Sequence, residues 1–245
     1  MASRGAALVT GGARRIGRAL VQAAADAGYD VAIHVRNVDD DAEAAAGEVR
    51  ARGRKAQIFP CDLRKEATTV ALVGEVEAEL GPVTLLVNCA SVFERDAFSD
   101  MNRASWDAHI DTNLRAPLVL AQTFARRLPV DREGLIVNIL DQRVWRPTPE
   151  FFSYSISKAA LWAATQMLAQ DLAPRIRVNG IGPGPTLASI HQDDEAFAAE
   201  AQATLLNRAV QPAEIAQALK YLIDARAVTG QMIAVDSGQH LAWPP

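Results

Sequence analysis

Short apolar runs alternate with helical patterns along the chain, and this alternation limits the folds available to it. The apolar runs predict strands at residues 6–10, 30–34, 57–60, 83–88, 134–140, 175–179 and 231–235. Helical patterns cover residues 15–27, 40–52, 67–80, 106–127, 154–172 and 212–223. Apolar strands that are each followed by a helix are typical of a parallel sheet covered by helices on both faces. Because no linker or internal repeat interrupts the 245 residues, we expect one doubly wound α/β domain over residues 1–245.

The charge balance and the few Cys and His residues argue against several classes of protein. The 25 Lys and Arg against 29 Asp and Glu give a net charge of −4, which disfavours binding to nucleic acid or to an anionic membrane. No apolar run approaches the ~18 residues that cross a bilayer. The first residues lead into a strand without an apolar signal segment, so we expect a cytoplasmic protein. Cys61 and Cys89 cannot form a zinc cluster alone, and the four His residues lack ligand spacing. We therefore expect no metal site, and the alternative is a magnesium ion bound by carboxylates.

The turn after the first strand has the layout of a dinucleotide site in a Rossmann-like fold. Gly11 lets the chain turn, and Gly17 lets the next helix pack close to the strand. Phosphates would then bind free N–H groups at the helix start, so we expect cofactor contacts from Gly11, Arg14, Arg15 and Ile16. Arg15 could reach a phosphate or a bound substrate. The alternative is an ordinary turn with surface arginines.

The end of the second strand indicates which dinucleotide binds. An acidic residue there holds the ribose 2′-hydroxyl of NAD, whereas an arginine accommodates the 2′-phosphate of NADP. This strand ends in His34, Arg36 and Asn37 and has no acid before Asp39. We therefore expect NADP(H), with Arg36 on the 2′-phosphate and Arg14 as a second candidate contact.

The third and fourth strands end in further candidate cofactor contacts. Asp62, followed by Leu63, could accept a hydrogen bond from the adenine amino group or could cap the next helix. Asn88, Ala90 and Ser91 follow the fourth strand, and small residues there let the backbone approach a ligand.

The pair Tyr154 and Lys158 is the most specific chemical signal. A spacing of four puts both side chains on one face of a helix. A nearby ammonium lowers the pKa of a phenol, which prepares the phenol to exchange a proton near neutral pH. Asp141 ends the fifth strand thirteen positions earlier, and Asn113 lies in the preceding long helix.

Along nearly its full length the chain resembles the short-chain dehydrogenase/reductase family. The resemblance implies that Tyr154 donates the proton, that Lys158 holds the nicotinamide ribose and tunes Tyr154, and that Asn113 anchors a water in the proton relay. Hydride comes from the cofactor. The residues that carry the resemblance are Thr10, Gly11, Gly17, Asp62, Asn88, Ala90, Asn113, Tyr154, Lys158, Pro183, Gly184 and the run 235–238.

Two departures from the family pattern are similar to its pteridine reductase branch, which includes dihydromonapterin reductases. Asp141 stands where the family usually has a serine, and Arg15 where it usually has a glycine. In that branch, the resemblance implies, Asp141 works with Tyr154 in proton delivery, Arg15 reaches phosphate and pterin, and Phe93 stacks on the pterin with Ser91 beside it. The alternatives are a loop cap for Asp141 and core packing for Phe93.

We therefore expect an NADPH-dependent reductase that converts a 7,8-dihydropterin to the tetrahydropterin. One alternative is a carbonyl or 3-oxoacyl reductase of the same family; another is an idle NADPH-binding sensor, which the proton-relay residues argue against. The resemblance implies a homo-oligomer, often a tetramer, with residues 239–243 at a subunit contact. The resemblance also implies that residues 185–205 form a substrate lid. His191 there could touch the substrate, but we expect it to face solvent. Trp145, Phe151 and Phe152 could line the substrate site or pack in the core.

Overall fold

A computed structural model describes residues 3–188 and 192–242 of the chain. Its seven strands are β1 (Ala6–Thr10), β2 (Asp30–Val35), β3 (Ala56–Pro60), β4 (Val83–Asn88), β5 (Gly134–Ile139), β6 (Ile176–Pro183) and β7 (Met232–Val235). Its eight helices in those residues are α1 (Arg15–Asp26), α2 (Asp40–Ala51), α3 (Glu66–Leu80), α4 (Arg103–Ile110), α5 (Ala116–Arg127), α6 (Phe152–Asp171), α7 (Asp194–Gln202) and α8 (Pro212–Asp224).

The strands form one parallel sheet in the order β3-β2-β1-β4-β5-β6-β7. The chain builds outward from β1 to β3, then returns to the other side of β1 and continues to β7. This reversal opens a crevice at the carboxyl ends of β1 and β4, which is where ligands bind in open α/β sheets. The expected Rossmann-like, doubly wound fold is confirmed.

Two apolar layers hold the helices against the sheet. In β1, Ala7 and Val9 belong to the cluster that packs against α1, α2 and α8. Ala6 and Leu8 belong to the opposite cluster, against α3 and α5. Alternate residues of one strand thus enter different layers, as the two-residue repeat of a strand requires. Because both faces are covered, β1, β2, β4 and β5 are buried along their whole length.

The structure corrects three of the expected elements. The single helix expected over residues 106–127 is α4, a five-residue π-helical segment (Asp111–Arg115) and α5 in succession. The strand expected over 175–179 extends to Pro183, because β6 pairs with β7 along its second half. Helix α7 lies in residues 185–205, where the sequence pattern predicts no helix or strand.

No helix in the described residues is both long and apolar enough to cross a membrane.

Candidate active site

One cleft of about 880 Å³ lies at the carboxyl ends of the strands. It brings together most of the residues expected from the sequence, which come from the turns after β1 to β6 and from α6. These are Gly11, Arg14, Arg15, Ile16, His34, Arg36, Asp62, Leu63, Ala90, Ser91, Phe93, Asp141, Tyr154, Lys158, Pro183 and Gly184. Asn37, Asn88 and Asn113 do not line it.

Tyr154 and Asp141 form a hydrogen-bonded pair at the centre of the cleft. The phenol donates to Oδ2 of Asp141 at 2.7 Å. Oδ1 of the same carboxylate accepts from the backbone N–H of Arg143 at 2.8 Å, so Asp141 also caps the short turn Gln142–Val144. Asp141 is therefore both the hydrogen-bond partner of Tyr154 and a loop cap. The pair combines a carboxylate with a proton-bearing hydroxyl.

The pKa of Tyr154 is raised, which corrects the expectation that Lys158 lowers it. Burial disfavours the phenolate, and the Asp141 carboxylate adds charge repulsion and a hydrogen bond that holds the proton. Lys158 Nζ lies 5.7 Å from the centroid of the Tyr154 ring and donates to the carbonyl of Ile139 at 2.7 Å. At neutral pH the phenol therefore keeps its proton.

Lys158 is buried, and its ammonium loses solvation there. Burial lowers its pKa to about 8, although the negative charge of Asp141 acts in the opposite direction. The amine therefore remains mostly charged at neutral pH and becomes neutral as the pH rises through about 8.

Asn113 does not line the cleft, but its side chain binds residues that do. Its amide nitrogen donates to the carbonyl of Val92 and to the hydroxyl of Ser157, and its oxygen accepts from Val92 N–H and from Ser91 Oγ. These four bonds fill the hydrogen-bonding capacity of the side chain. Asn113 lies in the π-helical segment between α4 and α5, so its side chain fixes the β4 loop, and the side-chain amide has no position left for a water.

The turn after β1 is shaped to accept an anion. Gly11 has a φ of 66°, and a Cβ on Gly17 would collide with the carbonyl oxygen of Gly11. Arg14 occupies the N-cap of α1 without a side-chain capping bond, and the first turn holds no acidic residue. The first N–H groups of α1 therefore face the cleft without a capping side chain, as a phosphate site requires.

The arginines near this turn have different partners. Arg14 pairs with Asp39 at 2.7 Å and Asp41 at 2.5 Å. Arg15, with a φ of 51°, donates to the carbonyls of Leu187 at 2.9 Å and Ala188 at 3.0 Å. Arg36 is exposed and makes no hydrogen bond or ion pair with any described residue. Its guanidinium is therefore available to a ligand.

Asp62 does not cap α3, whose N-cap is Lys65. Instead its carboxylate pairs with Arg64 at 2.7 Å, and this guanidinium lowers the pKa of Asp62 to about 2. Arg64 lines the cleft too, and sequence reasoning missed it because the pairing becomes visible only when the chain turns at the end of β3.

His34 connects three strand ends below the cleft. Its Nδ1 accepts from Gly11 N–H at 3.3 Å, so its Nε2 carries the hydrogen that it donates to the carbonyl of Cys61 at 3.0 Å. Burial lowers the pKa of His34 to about 4, and the ring is therefore neutral near pH 7. Through its bond with Gly11 N–H, His34 fixes the turn after β1.

Asn88 and Asn37 lie away from the ligand space. Asn88 is buried and donates to Asn138 at 2.8 Å, which in turn donates to Thr165 at 2.9 Å. This chain of amides ties β4 to β5 and α6. Asn37 is exposed after β2, outside the cleft lining.

Aromatic rings form the wall beside Tyr154. Phe93 meets the Tyr154 ring edge to face, with centroids 4.7 Å apart. Its centroid also lies 4.2 Å from that of Phe151, with the two rings nearly parallel. Of the two roles that the sequence allows for Phe151, a substrate contact or core packing, the first agrees with its position in the cleft lining. Trp145 and Phe152 do not, and His191 lies outside the described residues.

Among residues 3–188 and 192–242, no group of three or more His, Cys, Asp or Glu side chains could hold a metal ion.

Comparison with known proteins places this geometry in a family. The short chain dehydrogenase family model matches residues 5–199. The solved FolM alternative dihydrofolate reductase 1 of Brucella suis, in complex with NADP, is 46% identical, with a TM-score of 0.95 over 100% of this chain and 98% of that one. Its Brucella canis counterpart, also with NADP, is 45% identical, with a TM-score of 0.91 over 98% and 96%.

A curated relative carries a different activity name. The 3-oxoacyl-acyl-carrier-protein reductase FabG of Staphylococcus epidermidis is 29% identical over 96% of this chain and 98% of its own length. The match of the family model, the NADP-bound neighbours and the cleft together show that this chain is an NADP-dependent oxidoreductase that belongs to the short-chain dehydrogenase family.

Proposed function

We propose that this protein reduces a 7,8-dihydropterin to the tetrahydropterin with NADPH. The observation that carries the proposal is the 2.7 Å hydrogen bond from the Tyr154 hydroxyl to Asp141. Reduction of a C=N bond requires a proton on nitrogen, and a carboxyl group is suited to supply it. The two similar Brucella structures, named as alternative dihydrofolate reductases, support a pterin substrate.

The residues of the cleft fit an NADP molecule. The pyrophosphate would bind the uncapped start of α1, with Gly11, Arg14, Arg15 and Ile16 around it. Arg36 would hold the 2′-phosphate and Asp62 the adenine, with His34 and Leu63 beside them. Ala90, Ser91, Tyr154, Lys158, Pro183 and Gly184 would surround the nicotinamide half. Bound NADPH supplies the hydride.

The Tyr154–Asp141 pair delivers the proton to the substrate nitrogen. If the phenol gave up its own proton beside an ionised Asp141, two negative charges would lie within one hydrogen bond of each other, which is costly in a buried site. The transfer is favourable when Asp141 carries the proton and Tyr154 positions it or passes it on. Solvent then returns a proton to the pair for the next turnover.

The walls of the cleft orient a flat substrate. Phe93 offers a ring beside Tyr154 on which a pterin would stack. Ser91 has its hydroxyl held by Asn113 at 3.2 Å, and Arg15 is held in the cleft lining by its bonds to the backbone carbonyls of Leu187 and Ala188. These contacts would hold the C=N bond beside Asp141.

A carbonyl or 3-oxoacyl reductase is the second candidate, and the FabG relative favours it. The protein would then use Tyr154 alone as the proton donor. In that case Asp141 is a disadvantage, because it raises the pKa of the phenol and makes it a weaker acid.

The test is NADPH oxidation by the purified protein, followed by near-ultraviolet absorbance, with a 7,8-dihydropterin and separately with a 3-oxoacyl thioester. We expect fast oxidation with the pterin and slow oxidation with the thioester. Oxidation with the thioester alone would reject the pterin substrate and leave the family and cofactor unchanged.

A further inference from the structure

Arg143 is one of two cleft arginines that make no side-chain hydrogen bond or ion pair with any described residue. Six arginines line the cleft. Arg14, Arg64 and Arg95 pair with carboxylates, and Arg15 with backbone carbonyls. Arg36 and Arg143 make no side-chain hydrogen bond or ion pair with any described residue, and Arg36 already has a proposed ligand in the 2′-phosphate. Arg143 therefore has neither a charged partner among the described residues nor a proposed ligand.

Its position is defined by the aromatic wall. The guanidinium carbon lies 5.2 Å from the centroid of Phe151 and 5.8 Å from that of Phe93. Its positive charge also acts on Tyr154, whose pKa it lowers against the larger opposing effects. The cation therefore lies half-buried beside the proposed ring site, within reach of a substrate held there.

The preceding residue supplies a second unsatisfied group. Gln142 lines the same cleft and is 6% exposed, and its buried amide oxygen has no hydrogen-bond partner. A buried acceptor without a donor costs free energy, as does a half-buried cation without an anion. Two successive residues after Asp141 thus carry polar groups without a hydrogen-bond partner among the described residues, and of these the Arg143 guanidinium is the donor that a ligand anion can pair with.

Two stacked phenyl rings beside an open guanidinium match an aryl group that carries a carboxylate. The aryl ring gains from aromatic contact, and the planar guanidinium binds a carboxylate through two parallel hydrogen bonds. A short polyol side chain has neither an aryl ring for the aromatic contact nor a charge to pair with the guanidinium.

We propose that Arg143 determines substrate specificity by binding a carboxylate on the side chain of the pterin, with Phe151 against the linking aryl ring. Resting on the proposed function, this selects pterins with a benzoylglutamate side chain, such as dihydrofolate, over pterins with a neutral side chain.

The experiment compares Arg143→Met and Arg143→Lys with the wild type, using NADPH and either dihydrofolate or dihydrobiopterin, whose side chain is neutral. For Arg143→Met we expect KM for dihydrofolate to rise about tenfold or more, with kcat retained, since a hydrogen-bonded ion pair is lost. KM for dihydrobiopterin should not change. Arg143→Lys should retain part of the preference, because it keeps the charge without the planar fork. Arg126→Met, an exposed charge outside the cleft, is the matched control.

Equal losses with both pterins, or no change with either, would overturn this role of Arg143 while leaving pterin reduction intact. A separate readout is calorimetric binding of p-aminobenzoylglutamate to the NADPH-loaded protein. Binding that weakens in Arg143→Met supports the carboxylate site even if the wild type reduces no pterin, an outcome that rejects only the proposed function. Equal binding by both proteins rejects the carboxylate site.

Discussion

Asp141 uses its two oxygens for two purposes, and the consequences can be separated. Oδ1 fixes the turn that carries Gln142 and Arg143, whereas Oδ2 holds the proton of Tyr154. A substitution that keeps the shape but removes the acid therefore tests the chemistry more cleanly than a truncation.

Asp141→Asn should lower kcat for the dihydropterin by about a hundredfold, the usual scale of a lost general acid. It should also lower the pKa of Tyr154, because the carboxylate that disfavours the phenolate is gone. The first effect is measured by NADPH oxidation and the second by a tyrosinate absorbance titration, with Tyr154→Phe identifying the signal. Retained pterin turnover would show that Asp141 is only a loop cap.

Arg36 governs the choice of cofactor if it binds the 2′-phosphate. Arg36→Asp should reduce kcat/KM with NADPH by about tenfold or more and improve the relative use of NADH, because the new carboxylate repels a phosphate and can accept from a ribose hydroxyl. Arg132→Asp makes the same charge change at an exposed position outside the cleft. An unchanged NADPH preference in Arg36→Asp would place the 2′-phosphate elsewhere.

Sequence patterns predict which residues line the cleft better than which partners those residues contact. Tyr154, Lys158 and Asp141 stand at positions that spacing and strand ends reveal. The direction of the shift in the Tyr154 pKa depends instead on whether Asp141 or Lys158 acts more strongly on the phenol. The Lys158 ammonium donates to the carbonyl of Ile139, whereas Asp141 accepts from the phenol and raises its pKa. The Phe93–Phe151 stack likewise depends on the left-handed backbone of Phe151, with φ of 53°, which no local pattern indicates.

At the scale of elements, the carboxyl end of β2 depends on a neutral histidine. His34 holds the turn after β1 and the end of β3 together only while Nδ1 accepts and Nε2 donates. Its pKa falls from 6.5 to about 4 on folding, so between these values the unfolded chain binds a proton that the folded protein does not. Acid therefore favours unfolding through this residue.

We expect the free energy of unfolding to fall by up to about 3 kcal/mol through His34 as the pH drops from 6.5 to about 4. Denaturant titrations of the wild type and His34→Gln across this range measure it, since glutamine does not titrate. The variant should start less stable and lose less stability in acid. Parallel curves for the two proteins would contradict the role of His34.

The elements themselves were largely predictable, and the exceptions have physical causes. Strands buried on both faces are apolar throughout, so β1, β2, β4 and β5 stand out in the sequence. Helix α7 is polar and Ala-rich with a single buried residue, Ala201, and therefore lacks the periodic apolar face that indicates a helix. The π-helical Asp111–Arg115 continues the helical pattern on both sides, and it is Asn113 bonding to the β4 loop that accompanies the change of winding.

At the scale of the whole molecule, the C-terminal segment is held against the substrate end. Arg146 donates to the carbonyls of Gln239 and Ala242, and the His240 ring lies 4.9 Å from that of Trp145. Leu241 is 64% exposed and Trp145 43% exposed, while Trp243 lies outside the described residues. Such apolar side chains at one place favour a contact between copies of the chain.

We expect a homo-oligomer in light-scattering measurements at micromolar concentration, with the tetramer that the family resemblance implies as the expected mass. Leu241→Asp should reduce the measured mass, because a carboxylate would be buried without a partner in the contact. Leu206→Asp, at another exposed leucine, serves as the comparison. A monomeric wild type would remove the proposed assembly, and an unchanged mass in Leu241→Asp would place the contact elsewhere.

The strand order also creates a risk of aggregation while the chain is being synthesised. β1 is made first, yet one of its two neighbours, β4, is formed by residues 83–88. Until those residues leave the ribosome, a nascent β3-β2-β1 unit ends in an unpaired edge whose side chains are all destined for burial. Open apolar edges recruit strands from other chains, and parallel pairing over long separations is slow. We therefore expect chaperones to protect this protein most before its fourth strand emerges from the ribosome, while the edge of β1 is unpaired.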